Sequence, residues 1–92
     1  MINVFVMLAS KIIQDQEAVI GPLAWSEAEK VKGIKISNKT VDIDGDGKQT
    51  LERLVNQYEG LFGRASVEVC KDAIRKLMSD IDPKDLPEVL LH

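Results

Sequence analysis

Ile34-Lys35-Ile36-Ser37-Asn38-Lys39-Thr40-Val41-Asp42-Ile43 is the segment whose reading decides the fold. With Asn38-Lys39 as a two-residue turn, Ser37 pairs with Thr40, Ile36 with Val41, Lys35 with Asp42 and Ile34 with Ile43. Side chains alternate across a strand, so this register puts Ile34, Ile36, Val41 and Ile43 on one face. Lys35, Ser37, Thr40 and Asp42 then share the other face, with Lys35 and Asp42 directly opposed as unlike charges. Asn suits the turn because it tolerates a positive φ, whereas Lys in the second slot is a poorer fit than Gly. The segment predicts a β-hairpin at about 34–43 with one apolar face to bury.

The flanking sequence reads as helix. Upstream, Ile2, Phe5, Val6, Ala9, Ile12 and Ile13 recur at helical spacing, with Val4, Met7 and Leu8 on the other side of the same helix. Residues 2–8 also have the composition of a buried strand, which leaves a second reading of that segment. Gly21-Pro22 breaks the pattern, and a second helix follows at about 22–32. Leu23, Ala24, Ala28 and Val31 are read inward there, Glu27, Glu29 and Lys30 outward, and Gly33 as the stop. Downstream, Leu51, Leu54, Val55, Tyr58, Leu61 and Phe62 mark a helix of about 47–62, started by Asp46 and Gln49 in a capping-box spacing and stopped by Gly63. Ser66 is placed to cap a helix of about 66–80 carrying Cys70, Ala73, Ile74, Leu77 and Ile81. Asp82-Pro83 opens a last short helix that restarts near Pro87.

The expectation is a predominantly helical α+β fold over residues 1–92, a single domain in the order αα, β-hairpin, ααα, with the hairpin packed on a small helical bundle. No internal repeat or linker divides the chain.

Composition narrows the function. Apolar residues make up 45% and charged residues 29%, which is globular usage. A net charge of −3 gives no basic excess for a phosphate backbone, so nucleic acid is not an expected partner. Cys70 is the only cysteine and His92, the only histidine, is the last residue, so neither a thiolate metal cluster nor a placed imidazole is available. Cys70 falls on an apolar stripe, as a core thiol does. Met1–Ala9 is too short to span a bilayer and lacks the basic start of a signal peptide, so a cytoplasmic protein without membrane contact is expected. No phosphate-binding glycine loop, nucleophile elbow or zinc-helix motif occurs, and the chain is read as a non-enzyme.

Two features point to binding. A first helix that is apolar all round needs burial, and self-association through it is the leading expectation, with Ile2, Val4, Phe5 and Leu8 as interface residues. Trp25 lies off the apolar stripe of its helix, either filling the hairpin's apolar face or acting as an interface anchor. The expected function is a small protein-interaction module whose partner is itself.

The second feature is Asp42-Ile43-Asp44-Gly45-Asp46-Gly47, a D-x-D-x-D-G pattern. Alternate carboxylates suit a hard cation that takes six to eight oxygens, and glycine allows the turn that gathers them. Over about twelve residues the segment resembles the calcium loops of the EF-hand and dockerin families. It departs from them with Arg53 where a bidentate carboxylate belongs, Glu52 one residue early, Gln49 at a usually apolar position, and a hairpin where an EF-hand has its entering helix. What survives is a strand–loop–helix calcium site with Asp42, Asp44, Asp46 and Glu52 as ligands; otherwise no cofactor is expected. The competing reading pairs Asp42 with Lys35, uses Gly45 and Gly47 for the turn and Asp46 as a helix cap. Lys30, Lys32, Lys35 and Lys39 form a basic run, read as a solvated edge.

Overall fold

A computed structural model describes residues 3–77 and 81–91. Its elements run α1 (Val4–Ile20), α2 (Leu23–Glu29), β1 (Ile34–Ser37), β2 (Thr40–Ile43), α3 (Gly47–Phe62) and α4 (Arg64–Arg75), then two 3-10 turns, Pro83–Asp85 and Glu88–Leu90. The fold is α+β and predominantly helical, with one antiparallel hairpin packed against the helices.

Residues 4–8 are helical, not a strand. Asn3 caps α1, its Oδ1 accepting from the N–H groups of Phe5 at 2.9 Å and Val6 at 3.3 Å, which satisfies donors that the first turn leaves open. Gly21, at φ 76°, ends the helix and donates to the Glu17 carbonyl, and Pro22 follows where no helical donor is needed. The face Leu8, Ala9, Ile12, Ile13 and Gln16 is fully buried. Against it pack α2, α3, α4 and β2, so α1 is the spine of the core.

The hairpin has the expected register. Asn38 (φ 51°) and Lys39 (φ 61°) both take the left-handed conformation, as a two-residue primed turn requires. Ile34 and Val41 are buried and Ile36 and Ile43 half-buried against the core. The opposed charges do not pair as expected. Lys35 Nζ lies 3.7 Å from Asp44, while the Asp42 carboxylate accepts from the Ile43 N–H at 2.9 Å. A carboxylate beside a backbone donor forms that short local bond without ordering a lysine chain.

The second helix is shorter than 22–32, and of its expected inward residues Ala24, Ala28 and Val31 are buried while Leu23 is not. It buries Ala24, Trp25, Glu27 and Ala28 and leaves Leu23 45% exposed. Glu27 can turn inward because Lys30 Nζ (2.8 Å) and Gln57 Nε2 (2.9 Å) meet its two oxygens. Together they hold its carboxyl below the usual range, Lys30 more strongly. Tyr58 donates to the Ala24 carbonyl at 2.7 Å, tying α3 to α2, and burial raises the phenol's pKa.

Asp46 caps α3 by accepting from the Gln49 N–H at 2.9 Å; the Gln49 side chain accepts from Arg53 rather than completing a capping box. Leu51, Leu54, Val55 and Tyr58 are buried as expected, but Leu61 is 51% exposed. Gly63, not Ser66, caps α4, and Ser66 is buried with its carbonyl accepting from Gln16 Nε2 at 2.9 Å. This helix ends at Arg75 rather than near 80, and residues 78–80 lie outside the described residues. The last helix is instead two 3-10 turns, because Pro87 forces Leu86 into an extended conformation and stops the first after three residues. Leu86 and Leu90 still reach the core.

Gly47 is required by contact rather than by its backbone angle. Its φ is ordinary, unlike that of Gly45 at 93°, but a Cβ there would collide with the Phe5 ring. The start of α3 thus seats against α1. Gly47→Ala should lower stability by about 1–3 kcal/mol, the cost of overpacking. The same change in a Phe5→Ala background should cost distinctly less, as urea denaturation of the four-member cycle would show. Additive losses would disprove the contact.

Candidate functional site

The four carboxylates proposed for calcium are held apart. Asp42 stands on the polar face of β2, bonded to the Ile43 N–H; Asp44 faces Lys35; Asp46 is committed to the Gln49 N–H; Glu52 is exposed on α3. Among the described residues no group of three or more His, Cys, Asp or Glu side chains is gathered to hold a metal ion. The reason is where the helix begins. A wrapping calcium loop turns sharply at its sixth residue, but here that residue, Gly47, is already the first of α3.

The proposed interface residues also separate. Leu8 is 0% exposed and Trp25 8%, so both are held by the chain's own core; Val4 and Phe5 are half-buried against it. Ile2 lies outside the described residues.

Trp25 is instead the floor of a polar cluster. Lys39 Nζ sits 5.9 Å from its ring centroid and 3.1 Å from Glu17 Oε2. The indole Nε1 makes no hydrogen bond of good geometry among the described residues, yet it faces the Glu17 carboxyl. Lys39 first, and the indole second, hold Glu17 below its ordinary value. Lysine at the poorer turn position is therefore explained, since it clamps the hairpin tip to α1 and α2.

Cys70 is fully buried beside Gln16, whose Nε2 lies 3.4 Å from its Sγ. Burial pushes its thiol up to about 11, the opposite of a reactive cysteine.

One opening in this region was not anticipated. A shallow cavity of about 340 Å³ at the hairpin base is lined by Lys32, Lys35, Asp44, Asp46, Gln49 and Arg53. A second, of about 310 Å³, is lined by Lys30, Lys32, Arg53, Asn56 and Gln57. Lys32 and Arg53 belong to both. The sequence signal was the polar face of α3, where Gln49, Arg53, Asn56 and Gln57 recur at i, i+4, i+7 and i+8; it joins the basic run only in three dimensions.

With this geometry in hand, comparison with known protein families, characterised proteins and solved structures finds no match to the chain. No described helix is long and apolar enough to cross a membrane.

Two tests follow. Asp46→Ala should cost about 1 kcal/mol through the lost cap, equally in excess calcium and in chelator. A calcium-dependent rise in Tm that Asp44→Ala abolishes would reinstate the metal site. For Glu17, a lowered folded pKa means that its contribution is present above the ordinary value of 4.5 and is lost as pH falls through the folded value. Glu17→Gln should flatten that acid limb, read by the fluorescence of the single tryptophan. An unchanged acid limb would detach Glu17 from Lys39 and Trp25.

Proposed function

We propose that this chain is a small non-enzymatic protein-interaction module that self-associates through α1. The observation that carries the reading is the outward stripe of that helix. Residues 1–10 contain no charged side chain. Opposite the buried Leu8–Gln16 face, Val6, Met7 and Ser10 are partly exposed and Asn3 and Gln14 exposed. The first charges along the helix, Lys11 and Asp15, pair with each other at 3.0 Å. An interface centre is typically depleted of charge, and a two-fold pairing sets a patch against itself, where an unpaired charge would meet its own kind. The contact residues move from the expected Leu8 and Trp25 to Val6, Met7 and their neighbours. A cytoplasmic location goes with this reading, because Cys70 is a buried free thiol, the usage of a reducing compartment.

Light scattering across the micromolar to millimolar range should show a concentration-dependent dimer. Met7→Glu should shift it to monomer with an unchanged circular dichroism spectrum. A wild-type chain that stays monomeric throughout would refute the proposal.

A further inference from the structure

The two cavities that meet at Lys32 and Arg53 form one groove, and we propose that it binds a short extended acidic peptide segment of a partner protein. This surface is separate from the outward face of α1. The protein is acidic overall, at −3, yet the groove gathers Lys30, Lys32, Lys35 and Arg53 against two acids, Asp44 and Asp46. The charges at its ends are already satisfied, Lys30 by Glu27 at 2.8 Å and Lys35 by Asp44 at 3.7 Å. Lys32 and Arg53, the two residues common to both cavities, have no carboxylate partner among the described residues. The centre of the groove therefore carries two uncompensated cations.

Arg53 is oriented for the purpose. One guanidinium nitrogen donates to the Lys32 carbonyl at 3.5 Å and the other to Gln49 Oε1 at 3.3 Å. These weak bonds leave further N–H groups of its planar fork free for a carboxylate. Along the floor, Gln49 to Gln57 spans eight residues of helix, about 12 Å, the length of three or four extended residues at about 3.3 Å each. Asn56 is an exposed amide on that floor, able to donate to and accept from a peptide backbone. Single-stranded nucleic acid fits less well. No aromatic side chain lines either cavity, whereas strand binding relies on base stacking.

The test uses the full chain and a terminally blocked peptide of alternating glutamate and serine, followed by amide ¹H–¹⁵N shifts. Saturable shifts centred on Lys32, Gly33, Arg53 and Asn56, weakened by added salt, are expected. Arg53→Gln and Lys32→Gln should each weaken binding by about fivefold, the upper worth of one exposed ion pair. Lys32 makes no side-chain bond among the described residues, so its variant keeps the test valid should Arg53→Gln unfold; Lys84→Gln, on the first 3-10 turn, should bind as wild type. Non-saturating shifts, shifts centred elsewhere, or unchanged affinity in both groove variants would overturn the proposal. Tighter binding of a single-stranded oligonucleotide at the same residues would also overturn it, in favour of nucleic acid.

Discussion

Everything in this fold is organised by the burial of one face of α1. Leu8, Ile12 and Ile13 are fully enclosed, each contributing about 1.5–3 kcal/mol relative to exposure. They are enclosed by α2, β2, α3 and α4. A two-stranded hairpin has no independent stability in water, so β1 and β2 persist because their isoleucines and valine complete this core. The result is tight for its size, with a radius of gyration of 11.7 Å against about 12 Å for a compact chain of this length.

Apolar burial is non-directional, and a few polar contacts decide how the elements are turned. Tyr58 to the Ala24 carbonyl fixes α2 on α3, and Gln16 to the Ser66 carbonyl fixes α4 on α1. Glu27 is locked between Lys30 and Gln57. Lys39 ties the hairpin tip to Glu17 over the Trp25 ring. A left-handed lysine costs about 1 kcal/mol relative to glycine, which fits a residue retained for its side chain. These bonds account for Glu27 facing inward and Leu23 outward, against the apolar pattern of that helix.

The structure leaves two surfaces of different character. One is the charge-free outward face of the first turns of α1, proposed above for self-association. The other is the cationic groove between the α2–β1 connection and α3, whose central charges are uncompensated. Helix α3 serves both core and groove, with Leu51, Leu54 and Val55 turned in and Gln49, Arg53 and Asn56 turned out. Packing on the inner face thereby holds the outer face in place.

By itself the sequence determined whatever depends on neighbours along the chain. The hairpin register, the cap at Asp46, the stops at Gly21 and Gly63 and the turn at Asp82-Pro83 all follow from side-chain alternation, local hydrogen bonds and permitted φ. The apolar spacing of the helices likewise identified most of the core. Tertiary structure alone decided what depends on residues far apart. Gly47 reads as a loop glycine until Phe5 is seen against it, and Ser66 reads as a cap until Gln16 takes its carbonyl. The D-x-D-x-D-G pattern resembles a calcium loop, yet α3 starts inside it and its acids turn to separate partners. Leu8 and Trp25 seemed surplus to their helices only because much of the core that covers them comes from other elements of the chain. Arg53 meets Lys32 across a fold rather than along the chain, and no periodicity records such a meeting.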